Sequence, residues 1–357
     1  MPKKVLVAMS GGVDSSVAAY LIREQGYETT GVTMRLYDNE TIGLSSAKTC
    51  CSLESINDAV SVANKLDIYY LVYDFRAEFE KEVIQRFIDA YEHGRTPNPC
   101  IECNRYLKFD HLYAAGKEID QDYIATGHYA IIEKDNATGR YLLKKSVDLS
   151  KDQSYVLYSL TQDQLSRTLF PLGGLHKTET RRIAEEQGFI NAAKHDSQDI
   201  CFIPDGDYAG FIEQYTNRKY PSGHFVDQEG NILGEHKGII HYTIGQRKGL
   251  GLALKKPMYV QRLDMDQNQV VLGDNQDLFT QEFDAGEFNW IAMDPPTGDI
   301  RAKARIRYKH KEADATIVPT GPDTAHIIFD EPQRAITSGQ SVVLYDGDYV
   351  VGGGTIL

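Results

Sequence analysis

Over the first two hundred residues, short apolar and β-branched runs (KKVLVAM, TTGVTMRL, YYLVYDF, DYIATG) alternate with longer stretches of helical patterning. That alternation predicts βαβ units around a parallel sheet, because a strand buried on both faces is nearly all apolar and its crossover needs a helix. Residues 52–66, SLESINDAVSVANKL, illustrate the helical half: Ser52 can cap, and Ile56, Ala59, Val60, Ala63 and Leu66 recur at helical spacing. EKDNATGRYLL places a turn signal between two short runs and predicts a hairpin inserted after the fourth strand.

Beyond about residue 205 the texture changes to Gly-rich polar stretches and short alternating runs such as MYVQRLD and QVVLG. From about 281 several short strands follow one another with turns between them, the pattern of a small barrel or sandwich. The predicted architecture is an α/β parallel-sheet domain over residues 1–204, a β-rich central domain over 205–280 and a C-terminal β-barrel over 281–357. A length of 357 residues agrees with two or three cores.

The N-terminus lacks the apolar segment and cleavage site of a signal peptide, and no run of eighteen apolar residues occurs. A cytoplasmic protein without a membrane partner is expected. Five cysteines (Cys50, Cys51, Cys100, Cys103, Cys201) are too few and too irregular for a disulfide scaffold, which leaves thiol, metal or catalytic roles. The net charge of −13 argues against a generally cationic surface, so a nucleic-acid partner would need local basic patches.

VLVAMSGGVDSSVAAYLI runs from a strand through a Gly- and hydroxyl-rich turn into an amphipathic helix. Backbone N–H groups at such a helix start, with the hydroxyls of Ser10, Ser15 and Ser16, form an anion site, and Gly11 and Gly12 allow close approach of phosphate. The P-loop pattern G-x-x-x-x-G-K-[ST] is absent. The Ser10–Ser16 stretch resembles instead the PP-loop of the ATP pyrophosphatase superfamily, whose members cleave ATP to AMP and pyrophosphate while adenylating an oxygen. The resemblance implies that Ala8, Met9, Ser10, Gly11, Gly12, Val13, Asp14 and Ser15 hold the phosphates, with Asp14 near them or their Mg²⁺. Met34, ending the second strand, and Gly127, following the fourth, would line the adenine and ribose side at the carboxyl edge of the sheet.

An activated oxygen needs a nucleophile, and the sequence offers sulfur. TPNPCIECN sets Cys100 and Cys103 at C-x-x-C spacing, and HDSQDICFIP places Cys201 near Asp196 and Asp199. With ATGHYA, KDQSYVLY and GQRKGLG, these motifs resemble, in order, the tRNA 2-thiouridylase family from residue 5 to about 255. That resemblance implies Cys103 as one catalytic cysteine and Cys201 as the persulfide carrier, loaded by a sulfur-donor protein. Sulfur then replaces the adenylated oxygen on the wobble uridine of tRNA. Either the Cys201 persulfide attacks the base and Cys103 closes a disulfide, or Cys103 first liberates hydrosulfide; both routes need thiolates. Cys50 and Cys51 read as structural. Cys100 departs from the aspartate that many relatives carry and keeps open a three-cysteine iron–sulfur site with Cys103 and Cys201.

RAKARIRYKHK, residues 301–311, alternates Arg301, Lys303, Arg305, Arg307, Lys309 and Lys311 with apolar or aromatic residues. On a strand, the period of two puts every charge on one face, where a polyanion would relieve their repulsion. The family resemblance implies tRNA contacts at Arg307, Tyr308 and Gln340, an anticodon-arm contact at Lys151, Asp152 and Gln153, and Asn98, Pro99, Cys100 and His128 against the target base. Ser150 and Gln153 also match a capping box, and Arg247 and Lys248 sit on a Gly-rich loop suited to phosphate. Two other readings remain: a PP-loop amide-forming ligase on a small molecule, and an iron–sulfur redox-sensing RNA-binding protein.

Overall fold

The computed structural model describes residues 2–38, 53–195 and 200–357. The N-terminal part is built on a five-stranded sheet in the order Tyr69–Asp74, Glu28–Arg35, Lys4–Ala8, Tyr123–Ala125, Thr168–Leu169, every pairing parallel. Val5, Leu6 and Val7 of the central strand are fully buried, as its unbroken apolar run requires. From this strand the chain first goes to one side of the sheet and later returns on the other. Its carboxyl end, beside that of Tyr123–Ala125, is therefore the switch point where such sheets open a crevice.

The helix read over 52–66 spans Leu53–Lys65. Its core side is set by Ser55, Ala59, Val62 and Ala63, whereas Ile56 and Val60 are half-buried. Ser52 lies outside the described residues.

The central part carries the helix Tyr208–Thr216 and a four-stranded sheet ordered Tyr259–Asp264, Gln269–Gly273, Gly223–Val226, Ile232–His236. The C-terminal strands Phe279–Trp290, Ile300–Arg305, Ala313–Gly321, Thr324–Arg334, Ser341–Asp346 and Tyr349–Ile356 close into an antiparallel barrel, because Phe279–Trp290 pairs with both Thr324–Arg334 and Tyr349–Ile356. Phe288, Ile306, Ile317, Ile327, Phe329 and Leu344 are among the residues of its core.

The predicted hairpin forms from Ala130–Lys134 and Tyr141–Lys145. It also does something its local pattern could not announce, pairing Lys144 with Tyr349 of the last barrel strand. The outer side of the barrel thereby shares a core with the first domain: Leu143, Tyr155 and Tyr158 pack with Val343, Tyr345 and Val350. Tyr155 donates to Ser341 O at 2.7 Å, and Asn289 Nδ2 donates to Tyr158 O at 2.7 Å and Leu160 O at 2.9 Å. Each buried phenol removes apolar ring surface worth about 1.5–3 kcal/mol while keeping its hydroxyl bonded. The barrel is thus fixed relative to the sheet edge. Among the described residues no helix is long and apolar enough to cross a membrane.

Candidate functional site

The segment Met9–Gly12 leaves the central strand and enters the helix Val13–Glu24, whose first turn has no side-chain cap. Its orphan N–H groups stay available to an anion. The serines fold the loop upon itself: Ser15 Oγ accepts from Ser10 N–H at 3.1 Å and donates to Gly12 O at 3.0 Å, and Ser16 Oγ donates to the same carbonyl at 3.0 Å. Gly11 stands at φ +72°, and a Cβ there would lie 2.1 Å from the Ser55 carbonyl oxygen, so glycine is required twice over. Met34 lies at the end of Glu28–Arg35, half-buried against two of the cores.

Asp14, in the first turn, faces a distant lysine. Lys177 Nζ donates to its two carboxylate oxygens at 2.6 and 2.8 Å, and Tyr129 OH lies 3.0 Å from Oδ1 and 2.9 Å from Thr180 Oγ1. Asn191 Nδ2 donates to Gly11 O at 3.0 Å and Ser16 Oγ at 2.9 Å, while Lys194 Nζ reaches Gly11 O at 3.3 Å and Asp58 at 2.9 Å. Lys177, Asn191 and Lys194 were not found by sequence reasoning. They lie more than 160 residues from the loop, and a lone lysine in HKTET or AAKHD carries no signal by itself.

Gly127 seats the opposite wall, since a Cβ there would come within 2.8 Å of Asp14 C and Ser15 N. His128 follows and is 7 % exposed. Burial, helped by the nearby Lys108 ammonium, holds its pKa well below the ordinary histidine value, so the ring is neutral. Phe109 and Phe170 flank it with ring centroids at 6.0 and 5.8 Å.

In TPNPCIECN, Asn98 caps the short helix Pro99–Glu102 by accepting from Cys100 N–H at 3.2 Å, with Pro99 inside the first turn. The barrel grips the entering segment: Thr96 N–H donates to Ser338 O at 2.9 Å, and Gln340 Nε2 donates to Thr96 O at 2.8 Å. Cys103 opens a π-helical segment, Cys103–His111, an unusual geometry that recurs at functional sites. Cys100 is exposed, whereas Cys103 and Cys201 are half-buried against the same core. Tyr37 OH donates to Cys201 O at 2.8 Å. Among the described residues no three His, Cys, Asp or Glu side chains are grouped to hold a metal. Cys50, Cys51, Asp196 and Asp199 lie outside the described residues.

Cys100 is also near Tyr308, whose hydroxyl donates to Asp152 O at 3.0 Å and whose phenol pKa is raised mainly by burial. Asp152 is 6 % exposed, its carboxylate accepting from Ser146 N–H, Ser154 N–H and Ser154 Oγ at 3.2, 3.2 and 2.8 Å; burial raises its pKa. Gln153 Oε1 accepts from Tyr129 N–H at 2.9 Å, and Ser150 Oγ donates to Asp148 at 2.6 Å. The capping box read at Ser150 and Gln153 therefore does not form. Lys151 is half-buried beside them.

The alternating basic strand needs correction. Regular pairing ends at Arg305, and residues 306–309 bend and turn, so one face cannot carry all six charges. Acids also arrive from neighbours: Asp330 binds Arg301 at 2.6 and 2.7 Å, and Asp314 is in register with Lys303. Arg305 turns inward, bonding the Tyr308 carbonyl and standing 3.9 Å from Asp152. Arg307 donates to Arg334 O at 3.0 Å, and burial followed by the Arg334 charge pushes its pKa down. Two close guanidinium groups favour an incoming anion. Arg247 and Lys248 are exposed.

Comparison with known proteins places these features in one family. Residues 3–205 match a family described as tRNA methyl transferase HUP domain, residues 209–274 its PRC-barrel domain, and residues 280–356 an aminomethyltransferase beta-barrel domain. The tRNA-specific 2-thiouridylase MnmA of Clostridioides difficile (strain 630) is 54% identical over 100% of this chain and 98% of its own length. The protein of the same name from Acetivibrio thermocellus is 54% identical over 99% of each chain, and that from Symbiobacterium thermophilum is 49% identical over 99% of this chain and 92% of its own. With such identity sustained through all three parts, the chain belongs to the tRNA-specific 2-thiouridylase family.

Proposed function

We propose that this protein is a tRNA sulfurtransferase that replaces the 2-oxygen of the wobble uridine with sulfur, using ATP and a cysteine persulfide. The observation that carries the reading is the meeting of two machineries at one crevice. Gly127 packs closely on Asp14 and Ser15 of the anion loop, and its neighbour His128 meets Lys108, which donates to Asn104 in the turn that bears Cys103. The family description speaks of methyl transfer. An ATP-type loop and two cysteines leaning on one core favour sulfur instead.

In this reading the uridine 2-oxygen attacks the α-phosphorus of ATP, and pyrophosphate leaves. The terminal sulfur of a Cys201 persulfide adds to carbon 2, and AMP departs with the uridine oxygen. Cys103 thiolate then attacks Cys201 Sγ, which breaks the S–S bond to the base, leaves the thiocarbonyl and closes a Cys103–Cys201 disulfide. If hydrosulfide is released first, the same disulfide forms earlier and the balance is unchanged. A dithiol reductant resets the pair, and a sulfur-carrier protein reloads Cys201.

Asp14 would hold a magnesium ion, which would supply charge neutralisation for the departing pyrophosphate. Lys177 holds that carboxylate in place. The tRNA backbone lies on Arg307 and Lys151, with the target base near Asn98, Pro99, Cys100 and Tyr308. Incubating the protein with tRNA, ATP and a persulfide donor should yield 2-thiouridine by nucleoside mass spectrometry only when all are present. A methylated uridine formed with a methyl donor would overturn the reading.

A further inference from the structure

Lys108 belongs to none of the motifs above, yet it lies between the two halves of the crevice. In a segment bonded from residue i to i+5, it sits one π-turn beyond Cys103, the residue that opens the segment. Its ammonium donates to Asn104 Oδ1 at 2.8 Å and meets His128 Nε2 at 3.5 Å. Both partners are anchored. Asn104 is 1 % exposed and donates through Nδ2 to Val156 O at 2.9 Å; His128 Nδ1 is 2.6 Å from Thr126 Oγ1.

This network fixes the protons. An ammonium can only donate, so His128 Nε2 must present its lone pair, and the ring proton resides on Nδ1, facing Thr126. The lysine is therefore held by two neutral acceptors. Among the described residues no carboxylate pairs with it. A half-buried cation supported by oriented dipoles and lacking a counter-ion is a site prepared for an anion. One neighbour, His128, adjoins the glycine that touches the nucleotide loop; the other, Asn104, adjoins Cys103.

We propose that Lys108 is the cation that meets the α-phosphoryl group of the nucleotide and of the adenylated uridine, with Asn104 and His128 as its positioning residues. This rests on the sulfur-transfer reading, which places the phosphoryl group between loop and cysteine. Lysine here strengthens the leaving group where negative charge grows. His128 acts as an acceptor that aims the ammonium.

The test compares full-length wild type with Lys108→Met and Lys108→Arg. Removing the ammonium also strips Asn104 and His128 of a donor, so the arginine variant, which keeps charge and donors, serves as the control. In Lys108→Met, AMP should bind about 5–10-fold more weakly by calorimetry and single-turnover thiolation should fall about 100-fold, with tRNA affinity unchanged. Lys108→Arg should recover most of the AMP affinity, and ethylammonium ions should restore part of the rate to Lys108→Met. Unchanged AMP affinity in Lys108→Met, or equal loss of it in both variants, would overturn the proposal. The AMP measurement needs no tRNA. Lys108-dependent AMP binding in a wild type that makes no 2-thiouridine would thus leave this inference standing and remove the sulfur-transfer reading.

Discussion

Gly127→Ala is the smallest change that attacks the crevice directly. The added methyl carbon would sit 2.8 Å from Asp14 C and Ser15 N and 3.1 Å from Asp14 Cβ. Ordinary carbon contacts begin at about 3.5 Å, so one wall must retreat by about 0.7 Å. Two of those atoms are backbone at the start of the helix Val13–Glu24, which leaves no flexible side-chain end to yield. Overpacking of this kind costs about 1–3 kcal/mol of stability. The larger effect should be on chemistry: displacing the turn proposed to bind phosphate by nearly 1 Å costs about 10–100-fold in rate when reacting atoms must be aligned. Gly174→Ala is the matched control, because a Cβ there meets nothing within 4 Å. The assay is tRNA-dependent pyrophosphate release together with thermal unfolding. Wild-type release by Gly127→Ala, with wild-type stability, would refute the claim that this glycine seats the loop.

Four further outcomes follow from the same geometry. Cys103→Ser and Cys201→Ser should each abolish thiolation, because a hydroxyl neither carries a persulfide nor closes a disulfide, whereas Cys100→Asp should retain it; nucleoside mass spectrometry decides. Arg307→Ala should reduce the slope of log K against log salt for tRNA by about one unit without loss of stability, whereas Arg305→Ala should destabilise the fold by about 1–3 kcal/mol, because buried Asp152 then loses its cation; filter binding and denaturant unfolding separate the two. His310 is pushed down to about 4 by burial and by Arg307 and Arg305. With a depressed folded pKa, its stabilising share is complete above the unfolded value near 6.5 and is lost as pH falls toward 4, so His310→Gln should flatten the decline of Tm over that window. Gln340→Leu removes the donor to Thr96 O, should cost about 1 kcal/mol, and should slow sulfur transfer more than adenylation if the barrel positions the cysteine loop, as rapid-quench kinetics would show.

What the chain reveals before folding is what is local. The fully buried strand Lys4–Ala8, the Gly-Gly turn and the helix behind it are contiguous, and the same holds for Asn98, Pro99 and the turn leading to Cys103. What it conceals is set by distant pairing. Lys177 and Asn191 meet the loop only because the last parallel strand and its following helix pack beside it. The basic alternation of residues 301–311 was legible, but the neutralising Asp330 comes from a strand two positions away in the sheet, and the turn after Arg305 is dictated by its inward bond to Tyr308. The π-helical register beginning at Cys103 has no periodic signature in a stretch of nine residues, and the hairpin's second role, joining the barrel, runs through residues about 205 positions apart in sequence, Lys144 pairing with Tyr349.

The central claim is that sulfur takes the place of an oxygen that ATP has activated. The most direct measurement uses tRNA whose wobble uridine carries oxygen-18 at carbon 2, with ATP and a persulfide donor in a single turnover. Mass spectrometry of the products should find the heavy oxygen in AMP, in amounts equal to the 2-thiouridine formed. Heavy oxygen retained in the tRNA, or released to water while AMP stays unlabelled, would contradict the account.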